Sequence, residues 1–169
     1  CVDVANGYHE NYGDFIEKLR YEYQDKTIIA GNVITAEISE NIQVSSVAIY
    51  NENDDLIKYA AKKLLPVCHR SNVALIINDR PDLVLETQSD GVHIGQADMP
   101  CLEVRKMLGK NALIGVSCRD SLDLASRAVK QGANYVAFGA FFPTKTKEET
   151  GKPNLKLLKD WKRQEDALL

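Results

Sequence analysis

No run of apolar residues approaches the roughly 18 that a membrane-spanning helix needs, and no basic-then-apolar leader opens the chain. A membrane anchor is not expected, and a cytoplasmic location is. An excess of positive charge is also missing: 21 Lys and Arg stand against 24 Asp and Glu, a formal charge of −3 with pI near 5.7. That balance lacks the electrostatic footprint of a nucleic-acid or anionic-membrane binder. Cysteine is sparse. Cys1, Cys68, Cys101 and Cys118 lie far apart with no C-x-x-C pair, which argues against a disulfide framework or a zinc site and leaves reduced thiols acting as small hydrophobes. An initiator methionine is absent, so the chain opens at Cys1 as a processed chain or a piece of a longer one would. No G-x-G-x-x-G follows an apolar run and no P-loop is present, which excludes the usual dinucleotide and P-loop nucleotide sites.

What is present is a repeat of one pattern over 169 residues, a length suited to a single domain. A short β-branched run gives way to a Gly/Asn/Asp/Ser loop and then to a helical stretch. The expected strands are Val2–Ala5, Thr27–Ala30, Ser45–Tyr50, Val73–Asn78, Gly91–Gly95, Ala112–Val116 and Asn134–Phe138. Between them, apolar residues recur near the 3.6 period. Phe15, Ile16, Leu19 and Tyr23 make one face. Leu56, Ile57, Ala60, Ala61, Leu64 and Leu65 make another, with Asp54 or Asp55 as its N-cap and Pro66 near its end. Leu122, Leu124, Ala125, Ala128 and Val129 form a third, closed by Gly132, and Leu155, Leu157, Leu158 and Trp161 a last. Strands alternating with helices mean βα units and a parallel sheet, and Ala74–Ile77 is apolar on both faces, as a buried parallel strand is. The expectation is an α/β fold, a parallel (β/α) TIM-barrel-like domain over 1–169. It is incomplete: about seven strands instead of eight, in a chain below the usual ~250 residues.

Polar residues gather just past the strand ends, where barrels of this kind keep their catalytic groups. Asn78-Asp79-Arg80, Gly95-Gln96-Ala97-Asp98, Ser117 and the loop Phe138-Gly139-Ala140-Phe141-Phe142-Pro143-Thr144-Lys145-Thr146-Lys147 follow four consecutive strands. The last of these offers hydroxyls, backbone donors and a cation at one strand tip, the groups that hold a phosphate or pyrophosphate. Asp79 and Asp98 on neighbouring tips could share Mg²⁺, which favours one or two carboxylates plus substrate phosphate oxygens. Asn78, Ser117, Thr144, Thr146 and Lys147 would donate to the same phosphates. Taken singly, each Asp reads as a helix N-cap and Ser117 as a turn residue; the four loops together favour the phosphate grip. His93 reads as a core or barrel-lining histidine in preference to a catalytic base, and His9 and His69 have no paired ligands.

From about Leu64 to Lys147 the chain resembles thiamine phosphate synthases. The resemblance rests on Ile77-Asn78-Asp79-Arg80, Gly91-Val92-His93-Ile94-Gly95-Gln96-Ala97-Asp98-Met99-Pro100, Ile114-Gly115-Val116-Ser117 and the Phe138–Lys147 loop. It implies a TIM barrel that joins hydroxymethylpyrimidine pyrophosphate to thiazole phosphate and releases pyrophosphate. It further implies Asp79 and Asp98 as Mg²⁺ ligands. Asn78, Gln96, Ser117, Thr144, Thr146 and Lys147 become substrate contacts, with Asn78, Ser117 and Lys147 catalytic among them. Two departures accompany it. The Gln-x-Arg-x-Lys pattern of that family is replaced by Val47-Ala48-Ile49-Tyr50-Asn51-Glu52-Asn53, and the family's last two strands do not follow.

Residues 1–38 resemble GMP reductase and its IMP dehydrogenase relatives, through Cys1-Val2-Asp3-Val4-Ala5-Asn6-Gly7-Tyr8 and Thr27-Ile28-Ile29-Ala30-Gly31-Asn32-Val33-Ile34-Thr35. The chain therefore reads as a splice, with GMP reductase-like βα units over 1–38 and synthase-like units over 45–163. The expected function is a synthase-like transferase, active or impaired, acting on small phosphorylated substrates. The alternative is a non-catalytic chimeric or truncated barrel keeping a phosphate half-site. A GMP reductase-like oxidoreductase ranks last, because no cysteine loop follows. An open barrel leaves strand edges that a helix or a second copy must cover, so a homo-oligomer is one expected outcome.

Overall fold

A computed structural model describes residues 2–4, 28–31, 46–49, 53–70, 72–139 and 154–166. Among them, seven strands form one parallel sheet in sequence order: β1 Val2–Val4, β2 Ile28–Gly31, β3 Ser46–Ile49, β4 Ala74–Asn78, β5 Gly91–Ile94, β6 Leu113–Ser117 and β7 Tyr135–Ala137. Each lies within one residue of its expected bounds. An order that runs from first to last without reversal is the winding of a barrel, since a doubly wound sheet reverses at a switch point. Among the described residues the barrel is open, with β1 and β7 as its edges.

Five described helices accompany the strands: α1 Asp54–Arg70, α2 Pro81–Thr87, α3 Cys101–Leu108, α4 Leu122–Lys130 and α5 Leu155–Asp166. The core lies between these helices and one face of the sheet. Leu75, Ile77, Val92, Ile94, Ile114 and Val116 point into it, against Ile57, Leu64, Leu83, Val104, Ala125 and Trp161. Cys68, Cys101 and Cys118 are buried free thiols, in keeping with their reading as small hydrophobes. Burial pushes the Cys68 and Cys118 thiols up to about 11, so neither is an activated nucleophile.

α1 departs from its expected ends. Its cap is Asn53, whose Oδ1 accepts from Leu56 N at 3.1 Å, and not Asp54 or Asp55. It also runs through Pro66 to Arg70. Pro66 removes one helical donor, but Val67 and Cys68 beyond it are buried, and their burial holds the extra turn. α2 and α3 have seven and eight residues, too few for a 3.6 period to show. The helix expected around Phe15–Tyr23 lies outside the described residues.

The N-terminal ends of the strands are stapled by side chains, chiefly Asp90 and Arg105. Asp90 Oδ2 accepts from Leu75 N at 2.7 Å, and His69 Nε2 sits 3.0 Å from Asp90 Oδ1. The backbone of Asp90 also bonds both Leu75 and Leu113, so one residue ties β4, β5 and β6. Arg105 donates to the carbonyls of Gly109, Ala112 and Gly132 and to Asn134 Oδ1. Asn134 Oδ1 in turn accepts from Ile114 N at 2.9 Å. His69, for which the sequence suggested no chemistry, is a structural brace.

Candidate functional site

Period-2 alternation decides what the opposite face of the sheet carries. With Leu75, Ile77, Val92, Ile94, Ile114 and Val116 turned to the helices, the residues between them face the barrel interior. These include Asn78, His93, Gly115, Ser117 and Tyr135. Strand register places Asn78 beside His93, His93 beside Gly115 and Gly115 beside Tyr135. One interior row therefore runs across four strands.

The glycine in that row makes its geometry work. A Cβ on Gly115 would stand 2.0 Å from Tyr135 Cζ and 2.3 Å from its hydroxyl, so the phenol ring occupies the space a side chain would take. Lying there, Tyr135 Oη reaches His93 Nδ1 at 3.0 Å, and His93 Nε2 meets Ser117 Oγ at 2.8 Å. The barrel-lining role expected of His93 holds, and its ring also links two hydroxyls. The sequence offered a signal for this, because His93 is in phase with Gly91 and Gly95 on an alternating strand. Tyr135 gave none by itself.

At the rim the predicted residues of three loops are brought together. Asp79 has φ +62° and its N–H donates to His93 O at 2.7 Å. A left-handed conformation costs a non-glycine residue about 1 kcal/mol, and such strain collects at functional sites. Asp98 Oδ2 accepts from Gly95 N at 2.7 Å, closing the turn after β5 and leaving Oδ1 for another donor or a cation. Gln96 Nε2 donates to Ser117 O at 2.6 Å, which ties the β5 loop to the end of β6. Neither Asp is a helix cap: Arg80 and Pro100 hold the N-cap positions of α2 and α3. Ser117 is the last residue of β6 and makes no turn. Thr144, Thr146 and Lys147 lie outside the described residues.

Arg80, the cation nearest these groups in sequence, is committed elsewhere. Its guanidinium forks between Asp54 and Asp82, with Nη2 2.9 Å from Asp54 Oδ2 and 2.6 Å from Asp82 Oδ2. Those hydrogen bonds hold both carboxyls below the usual carboxylate range. Among the described residues, no group of three or more His, Cys, Asp or Glu could hold a metal ion. Mg²⁺ does not need one. Asp79 and Asp98 offer hard oxygen donors from adjacent strand tips, which fits a cation that completes its shell with water and phosphate oxygens. A cavity of about 170 Å³ lies behind the Gln96–Asp98 turn, but Cys101, Leu124 and Ala128 line it from the helix side.

A profile described as thiamine monophosphate synthase matches residues 24–166. The chain belongs to that family. The match runs through Thr27–Thr35, one of the two segments likened above to GMP reductase, and the matches support no GMP reductase or IMP dehydrogenase assignment there. Among curated synthases, that of Rhodospirillum centenum is 47% identical over 108 residues, covering 64% of this chain and 52% of its own. That of Pelagibacter ubique is 44% identical over 102 residues, covering 60% and 49%. The chain thus spans about half the length of the curated relatives it matches. In fold it is similar to a thiamine phosphate pyrophosphorylase from Pyrococcus furiosus, with TM-score 0.61 and 22% identity over 95% of this chain and 66% of that one. It is also similar to a native KDPGal structure, with TM-score 0.58, 12% identity and coverage of 91% and 79%. This family member therefore has the TIM-barrel-like synthase fold, open among the described residues. No described helix is long and apolar enough to cross a membrane.

Proposed function

We propose that this chain is a thiamine phosphate synthase-like transferase, and that its rim grips the pyrophosphate of hydroxymethylpyrimidine pyrophosphate while thiazole phosphate attacks. The observation that carries the reading is the convergence of Asn78, Asp79, Gln96, Asp98 and Ser117 at the ends of three adjacent strands, supported by family membership. In the reaction the bond from the pyrimidine methylene to pyrophosphate oxygen breaks, and the thiazole nitrogen forms the new bond to that methylene. No protein nucleophile is needed. Asn78 and Ser117 donate hydrogen bonds to the phosphate oxygens, while Gln96 holds the β5 loop against β6. Thr144, Thr146 and Lys147 add hydroxyls and a cation from the next loop, opposing the charge that grows on the leaving group. Asp79 and Asp98 would hold Mg²⁺, which when bound neutralises departing pyrophosphate. A cytoplasmic location and small-molecule partners are part of this reading.

The test is calorimetry with pyrophosphate and magnesium on the full chain, beside a synthase assay with both precursors. Mg²⁺-dependent binding that Asp79→Asn weakens about tenfold or more is expected. An intact chain that binds no pyrophosphate, indistinguishable from Asp79→Asn, would sink the site assignment. A second reading has its own support: the sheet is open among the described residues, and the match spans only about half of each of these relatives. It makes the chain a non-catalytic barrel piece with a phosphate half-site, joined to a partner or a second copy at its edges. Pyrophosphate binding without turnover favours that reading.

A further inference from the structure

A neutral imidazole has one donor nitrogen and one acceptor nitrogen, and its neighbours decide which is which. His93 lies between two hydroxyls, Tyr135 Oη at Nδ1 and Ser117 Oγ at Nε2. Either hydroxyl can donate or accept, so the chain of bonds has two polarities. In one, Nδ1–H donates to Tyr135 and the Ser117 proton is spent on Nε2. In the other, Tyr135 O–H donates to Nδ1, Nε2–H donates to Ser117 Oγ, and the serine proton is released.

We propose the second polarity: Tyr135 is a positioning residue that acts through His93 to turn the Ser117 hydroxyl proton outward, toward an anionic oxygen at the rim. Acid strength favours it, because a phenol with its ordinary pKa near 10 is a far better donor to an imidazole nitrogen than an alkyl hydroxyl. Direction favours it too. Three bonds pointing the same way polarise one another, and the last becomes charge-assisted when it ends on a phosphate oxygen. Gly115 is what admits the device, since any side chain there would displace the phenol from His93. The Ser117 backbone is held independently, through its carbonyl, by Gln96, so the relay governs the hydroxyl and not the place of the strand.

The inference deepens the phosphate-binding reading of the rim and rests on it for its ligand. The experiment is long-range ¹H–¹⁵N NMR of the ¹⁵N-histidine-labelled full chain at about pH 8.5, above the ordinary histidine range, together with magnesium pyrophosphate calorimetry. His93 is expected with its proton on Nε2 and a bare Nδ1. In Tyr135→Phe, which keeps the ring, the Nδ1–H form should gain population, and affinity should fall about fivefold, the scale of one neutral hydrogen bond. In a Ser117→Ala background the same change should cost nothing further. A wild-type His93 protonated on Nδ1 overturns the proposal, as does a Tyr135→Phe loss that is equally large without the serine. If the intact chain binds no pyrophosphate, the transferase reading falls, and the tautomer still decides the polarity.

Discussion

The two ends of the same strands are built on opposite principles. At the N-terminal ends, Asp90 and Arg105 spend their side chains on backbone groups of neighbouring strands and loops. At the C-terminal ends, Ser117 and His93 turn their polar atoms on side chains, Asp79 sits at positive φ, and Asp98 closes only its own turn. Backbone partners cannot be exchanged for a ligand without opening the sheet; side-chain partners and strained loops can. A barrel thus separates the end that holds it together from the end free to do chemistry.

Removing the staple should have the largest effect. Arg105→Ala leaves the carbonyls of Ala112 and Gly132 without their charged donor and should cost about 3 kcal/mol in urea unfolding, the scale of charged hydrogen bonds lost from a partly buried network. Pyrophosphate binding by the folded fraction should survive. If stability is unmoved, the floor is not what holds β6 to β7. Next comes Gly115→Ala, which forces Tyr135 off the interior row and should cost about 1–3 kcal/mol, as overpacking does. It should also shift the His93 ring signals, and unchanged signals would mean that the phenol does not depend on that gap.

At the rim the signs reverse. Asp79→Asn should stay within about 0.5 kcal/mol of wild-type stability, because Asn tolerates the left-handed region. Its Mg²⁺-dependent pyrophosphate affinity should drop roughly tenfold or more. A variant that loses stability and keeps affinity would make Asp79 part of the scaffold. The smallest effect concerns Arg80. Asp54 and Asp82 have carboxyls lowered by its guanidinium. Their contribution is therefore full above the ordinary carboxylate range and is lost as pH falls through the lowered folded values. Acid unfolding below about pH 4 should show a slight extra slope that Arg80→Gln removes. An identical profile would mean that solvent screens the fork completely.

Periodicity alone located all seven strands, because each is a short apolar run bounded by turn residues. The rim residues Asn78, Asp79, Gln96, Asp98 and Ser117 were legible for the same reason: a barrel places its chemistry just beyond such runs. The cap of α1 was misread because Asn53, Asp54 and Asp55 are all good caps and only the Leu56 N–H bond separates them. Pro66 was expected near the end of α1, and the helix continues one turn past it to Arg70 because Val67 and Cys68 are buried there.

By itself, the sequence determined the βα repeat, the interior phase of His93 and the polar sets at the strand tips, since alternation and loop position are properties of the chain read in order. Tertiary structure alone decided which of those residues meet. The Tyr135–His93–Ser117 chain needs β5, β6 and β7 in one register and an absent side chain at Gly115. The stapled floor needs residues 15 to 29 positions apart to share single hydrogen-bonding groups. Such pairings depend on how strands lie side by side, and no local pattern in the chain encodes that.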